Sequence, residues 1–152
     1  MRNFNVRVYG ILIHENQLLV SDEHIKGMNI TKLPGGGLEY GEGTIECVIR
    51  EFKEELDLDI EVISHFYTTD FFVNSAFSSN NQVISIYYTV KAKMELNAKS
   101  IGFKIATKPF DFQKKIEGAQ SMRWVKLDEI SDNDFTFIID KRIGEMLYNN
   151  LK

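Results

Sequence analysis

The 152-residue chain carries 18 basic and 22 acidic side chains, and its net charge of −4 implies no general affinity for nucleic acid or anionic membrane. Its 43% hydrophobic and 26% charged residues are those of a soluble globular protein, and one domain over residues 1–152 is expected. No N-terminal signal pattern or membrane-length apolar run is present, and the single Cys47 cannot close an internal disulfide, so a cytoplasmic, reducing location is expected.

From the N-terminus, residues 4–13 are rich in Val, Ile and aromatics and predict a strand. His14-Glu15-Asn16-Gln17 is a turn, and the chain returns through Ser21 to complete a hairpin. Residues 21–31 are polar and read as an irregular loop, open to forming a lip over a site. Lys32-Leu33-Pro34 then leads into Gly35-Gly36-Gly37, where the missing Cβ atoms let backbone approach a ligand or metal closely. The plainer reading is a turn before a helix. Gly36 and Gly41 begin a P-loop pattern, but Glu42 stands where it requires lysine, which argues against an ATP-binding P-loop and leaves a metal-bridged phosphate site open.

Residues 44–56 form a good helical run with Thr44 as N-cap, and Ile45, Val48, Ile49, Phe52 and Leu56 fall on one apolar stripe. Glu51, Glu54 and Glu55 share an adjacent face. Like charges at that spacing repel by roughly 0.2–0.5 kcal/mol per pair, and the helix C-terminus disfavours anions. Such a placement makes sense where a hard divalent cation sits among the carboxylates, since Mg²⁺ takes oxygen ligands and keeps several waters.

These residues also carry a resemblance. Gly36, five residues, Glu42, seven residues, and Arg50-Glu51-Phe52-Lys53-Glu54-Glu55-Leu56-Asp57-Leu58 resemble the signature of the Nudix hydrolases. Phe52 replaces the usual aliphatic residue, and Asp57 replaces a glycine that would cap the helix in the left-handed conformation. The resemblance implies an α/β fold: an α/β/α sandwich with a mixed, curved sheet between the signature helix and a C-terminal helix. It further implies Glu51, Glu54 and Glu55 as Mg²⁺ ligands, with Mn²⁺ as a substitute, and the carbonyl of Gly35 or Gly36 as a further ligand. Arg50 would orient the carboxylates, and Glu42 would tether the loop of Gly36 and Gly37 to the helix. The general base would be a signature glutamate or a later carboxylate. Glu117 is the best-placed later candidate, against an ordinary exposed loop role.

Downstream, residues 59–73 contain strand material, residues 74–81 (NSAFSSNN) read as a loop, and residues 82–93 are the clearest strand. Phe66, Tyr67, Phe71, Phe72 and Phe77 suit core packing, a subunit interface or base stacking, which leaves a homodimer open. Residues 94–118 hold Lys99, Lys104, Lys108, Lys114 and Lys115, either a solvated excursion or a substrate-facing flap whose lysines attract phosphate. A strand at 121–125 follows, and Asp134 is expected to cap a final helix burying Ile138, Ile139, Ile143, Met146 and Leu147.

The expected activity is Mg²⁺-dependent hydrolysis of a pyrophosphate bond in a nucleoside diphosphate linked to another group, a small-molecule partner. The alternative is a catalytically silent nucleotide-sensing module of the same fold. The proline that marks many ADP-ribose hydrolases and the tyrosine of many dinucleoside polyphosphate hydrolases are both absent, since Pro occurs only at 34 and 109 and residues 74–76 lack Tyr.

Overall fold

The computed structural model describes residues 1–96 and 103–151, so Lys99 lies outside the described residues. Strand β1 (Asn3–His14) alternates its side chains across two cores, as strand geometry requires. Val8 and Leu12 face helix α1 (Thr44–Leu56), while Tyr9 and Ile11 face helix α2 (Ile138–Asn149). At Gly10 the α1 side is too tight for a side chain: a Cβ would lie 2.5 Å from the Phe52 ring. Phe52 is fully buried there, a burial that stabilises by about 1.5–3 kcal/mol.

The sheet is mixed. Its main path runs β5 (Ile60–Thr68), β7 (Ser78–Ala92), β1, β2 (Gln17–Ile25), β9 (Gln120–Lys126), β8 (Ile105–Ala106). Strand β3 (Met28–Lys32) adds to β2, β4 (Gly35–Gly37) to β1, and β6 (Asn74–Ser75) to β7. β1 runs parallel to β7 and antiparallel to β2 and β4. With α1 on one face and α2 on the other, the expected α/β/α arrangement is present. Among the described residues no helix is long and apolar enough to cross a membrane.

Several local expectations are corrected. Residues 21–31 are not an irregular loop: they form the second half of β2 and nearly all of β3, joined at Lys26-Gly27, both with positive φ. Ser21, Asp22 and Thr31 are buried there, and Asp22 draws partners from distant residues as well as from Thr31. Asp22, fully buried, accepts from Arg123 (Nε, 2.7 Å), the Thr31 hydroxyl (2.6 Å) and the Phe110 amide (3.2 Å). The 74–81 segment likewise holds β6 and the start of β7.

Helix α1 takes Gly43, not Thr44, as its N-cap, and Glu46 accepts the Gly43 amide at 3.0 Å. Val48, Phe52 and Leu56 are buried as expected, joined by Cys47, but Ile45 and Ile49 are exposed on the outer side. Asp57 does adopt the left-handed cap (φ 49°), and Lys53 reaches it at 3.1 Å. The cap amides at Asp57 and Leu58 donate to the Lys53 and Phe52 carbonyls, so the helix ends cleanly without glycine.

Helix α2 begins at Ile138, and Asp134 instead closes a preceding turn by accepting the Ser131 amide. Ile139, Ile143 and Leu147 are buried, Met146 is partly buried, and Ile138 is exposed. The surprise on this helix is Asp140, buried and accepting the Tyr87 hydroxyl at 2.7 Å. Burial pushes its carboxyl up to about 6, opposed by the Tyr87 hydrogen bond and by Lys32 and Arg7.

A raised carboxyl binds its proton more tightly in the folded chain. The stability this carries is full below the ordinary value of 3.8 and is lost as pH rises through about 6, a change of about 3 kcal/mol. Asp140→Asn keeps an oxygen for Tyr87 and carries no charge. We expect it to be more stable than the native chain at pH 8 and to lose that advantage towards pH 4, as read by urea midpoints across pH. An advantage independent of pH would contradict the assignment.

Candidate active site

Strand β4 lies beside β1, and α1 packs against both, so the glycine run and the glutamate face meet. At Gly35 (φ +150°) a Cβ would fall 2.1 Å from the Val8 carbonyl oxygen. At Gly36 it would fall 2.5 Å from the Glu51 carboxylate. The glycines thus form a cradle against which Glu51 lies, and any side chain there would displace it.

Arg50 gathers the rest. Its guanidinium donates to Glu42 through two nitrogens (2.9 and 2.7 Å), to Glu51 (3.0 Å), to Glu54 (3.1 Å) and to the Gly37 carbonyl (3.1 Å). The paired contact on Glu42 is the strong two-pronged kind, and with the Glu39 amide it holds that carboxyl at about 2. Glu42 therefore tethers the glycine loop to α1. Cys47 is buried behind this network and packs as a small side chain.

Glu55 has a different setting. Burial raises its carboxyl to about 7, with Glu23 and Glu51 pushing the same way and Lys32 and Gln120 pulling down. Gln120 Nε2 lies 3.3 Å from Glu55, 3.5 Å from Glu23 and 3.0 Å from the Ser21 hydroxyl. Lys32 is buried, yet its Nζ sits 3.0 Å from Glu23 and 3.2 Å from the Gly35 carbonyl oxygen. Burial would lower this lysine, but Glu23, Tyr9 and Glu55 outweigh it and raise it, so it stays charged.

The expected residues Gly35, Gly36, Gly37, Glu42, Arg50, Glu51, Glu54 and Glu55 are therefore brought together around one loop–helix junction. Glu117 is engaged elsewhere. Its Oε1 accepts the Lys26 amide at 2.6 Å, tying the β9 approach to the β2–β3 hairpin tip. The sequence pattern did not point to Arg7, Glu23, Lys32 or Gln120. The readable signal was a lysine abutting the Leu-Pro-Gly run and an arginine two residues before Tyr9 on one strand face.

As they stand, no three acidic, His or Cys side chains among the described residues converge tightly enough to enclose an ion. The donor set nevertheless suits one. It consists of carboxylates and peptide carbonyls, the hard oxygen ligands of Mg²⁺ or Mn²⁺, and Glu55, half-buried, faces the like charges of Glu23 and Glu51 that a cation would relieve. Glu51, Glu54, Glu55 and the Gly35 carbonyl could hold it.

On the other face of the sheet a cavity of about 370 Å³ opens between β1, β7 and the start of α2. Phe77, Phe137, Ile30 and Val83 supply apolar walls, Asp140 and Ser85 polar groups, and Arg7 and Lys32 positive charge. Phe77 and Phe137 meet edge-to-face at 6.2 Å, and Tyr9 stacks on Tyr87 at 5.2 Å. None of the helix glutamates lines this space; Lys32, which reaches Glu23 and the Gly35 carbonyl, links it to the carboxylates.

The chain and its fold match known proteins. The NUDIX domain family model matches residues 3–143. A MutT protein from Methanosarcina mazei Go1 superposes with a TM-score of 0.70 at 17% identity, covering 99% of this chain and 97% of that one. A NUDIX hydrolase from Nitrosomonas europaea gives 0.68 at 17% identity over 97% and 90% of the two chains. An ADP-ribose pyrophosphatase from Streptococcus suis gives 0.58 at 19% identity over 94% and 86%. At these identities the structures share a fold with this chain, and their substrates are their own. With the family model spanning nearly all of the sequence, over a loop–helix junction that carries the signature glycines and glutamates, the chain belongs to the Nudix family of pyrophosphohydrolases.

Proposed function

We propose that this enzyme hydrolyses a pyrophosphate bond in a nucleoside diphosphate linked to another group, with Mg²⁺ held by Glu51, Glu54, Glu55 and the Gly35 carbonyl. The observation that carries the reading is Lys32, which stands between the carboxylate cluster and the aromatic cavity. A nucleoside seated between Phe77 and the Tyr9–Tyr87 pair would bring its phosphates past Arg7 and Lys32 to the glutamates. Bases stack on aromatic faces, and the two cations favour the phosphate charge. A bound divalent ion would neutralise phosphate oxygens and acidify a coordinated water.

The protein's own residues supply alignment. Arg50 fixes the glutamates and the glycine loop relative to each other, and rigid elements hold such groups in register. With Glu117 accepting the Lys26 amide, the proton from water falls in this reading to a carboxylate of the cluster itself. The test is a panel of nucleoside triphosphates, dinucleoside polyphosphates and nucleoside diphosphate sugars with Mg²⁺, followed by released phosphate after phosphatase coupling. Turnover of a member supports the reading. Ligand-induced thermal shifts without turnover across the panel would assign a sensing role instead.

A further inference from the structure

We infer that Asp140 reads the base of the substrate through N–H donors on its edge, and so selects guanine over the other bases. This rests on the proposed seat of the nucleoside in the aromatic cavity. That cavity is polarised along the Tyr9–Tyr87 stack. At one end the Tyr9 hydroxyl accepts from Arg7 Nε at 2.6 Å, and Lys32 Nζ stands 5.3 Å from the centre of the Tyr9 ring. At the other end the Tyr87 hydroxyl donates to Asp140 Oδ1 at 2.7 Å. The cationic end adjoins the glutamate cluster, since Lys32 reaches Glu23 and the Gly35 carbonyl. A nucleotide with its phosphates at that end turns its base to the Asp140 end.

The hydrolysis itself leaves Asp140 without a task. The residue is 3% exposed, lines the cavity, and forms no ion pair among the described residues. Tyr87 occupies Oδ1. Every fully buried side-chain oxygen among the described residues has a hydrogen-bond partner; Oδ2 has none, so it opens on the cavity. Burying a carboxylate is costly unless its oxygens are satisfied, and a ligand donor at Oδ2 would complete the set.

The chemistry of that donor chooses the base. A carboxylate only accepts hydrogen bonds. Among the common bases guanine alone sets two N–H donors side by side on its pairing edge. One can meet Oδ2 and the other the remaining lone pair of Oδ1. Adenine and cytosine each place a ring-nitrogen lone pair beside a single amino group. Uracil and thymine flank one N–H with carbonyl oxygens. Each of these turns an acceptor toward the carboxylate, a mismatch that sites built on polar pairing reject strongly. Such pairing needs the charged form. Tyr87 on β7, Lys32 on β3 and Arg7 on β1 favour it, whereas burial and Glu23 on β2 oppose it, which leaves the carboxyl at about 6. The preference for guanine is then full at pH 8 and fades as pH falls through about 6.

The experiment needs no turnover. Binding of GMP and AMP to the full chain and to Asp140→Asn is followed by calorimetry at pH 8, with urea midpoints confirming that the variant is folded. The native chain should hold GMP about tenfold or more tighter than AMP. Asp140→Asn should weaken GMP and spare AMP, bringing the two within about twofold or reversing their order, because an amide both donates and accepts. Tyr87→Phe keeps the ring stack but removes a hydrogen bond that favours the charged carboxyl, so its GMP preference should fade at a higher pH than in the native chain. Absence of a GMP preference in the native chain overturns the inference, as does a preference that survives Asp140→Asn. Equal weakening of GMP and AMP in a folded Asp140→Asn protein also overturns it, since that reports general damage to the cavity. An Asp140-dependent GMP preference in a chain that hydrolyses no nucleotide upholds the inference and overturns the hydrolase reading.

Discussion

Replacing Glu55 by Gln removes about 10²-fold or more of the Mg²⁺-dependent turnover without weakening the fold. Two observations support both halves of this expectation. The carboxylate lies at the end of the cluster, touched by Gln120 and facing Glu23 and Glu51. Burial and those like charges hold its carboxyl up to about 7, so without an ion the charged form strains the folded chain. The sign follows directly. A raised carboxyl contributes most below its ordinary value of 4.5 and loses that contribution as pH rises through about 7. An amide, which has no charge to desolvate, should leave the variant at least as stable as the native protein at pH 8. Mg²⁺ uptake by the native protein at pH 7 should also expel protons, detectable by calorimetry in buffers of different ionisation enthalpy, and the variant should expel fewer. Near-native turnover in a well-folded Glu55→Gln protein would remove this residue from the reaction.

The second large effect is on stability. Asp22→Ala should cost about 3–5 kcal/mol, because it strands Arg123 in the interior together with the Thr31 hydroxyl and the Phe110 amide. For a chain of this size that corresponds to a fall in Tm of about 10 °C or more. The loss comes from an unpaired buried charge and not from the intrinsic worth of the pair. Asp22→Leu with Arg123→Met should therefore recover most of it, since apolar residues of similar volume often replace a buried pair without penalty. A shift below about 1 kcal/mol for Asp22→Ala by urea unfolding would show that water reaches Arg123 and that the pair is not sealed.

The contrast between these two residues explains what the sequence could and could not reveal. Glu55 was legible because Glu54 and Glu55 follow Glu51 by three and four positions on one helix, and helical spacing is a local rule. Asp22 read as part of a polar loop because its partner Arg123 is 101 residues distant. Nothing in residues 21–31 announces that Asp22 and Thr31 will be satisfied from another strand. Lys32 and Glu23 escaped notice for the same reason: they meet across the β2–β3 hairpin and matter only once the Gly35 carbonyl is seen beside them. Periodicity alone put Ile45 and Ile49 in the core. The buried arc of α1 is in fact narrower and centred on Cys47, Val48, Phe52 and Leu56. The cap at Asp57 shows the converse: a local misfit with the signature is repaired by Lys53 on the same helix.

The solitary thiol has a practical use that follows from its position. Cys47 is fully buried, and desolvation together with Glu42 pushes it up to about 12, so it remains protonated and sheltered while α1 stays packed. Alkylating reagents can reach it only during excursions in which the helix lifts from the sheet. Its labelling rate in the presence and absence of nucleotide is therefore a stopwatch for breathing of the signature helix, read from one atom without engineering a probe.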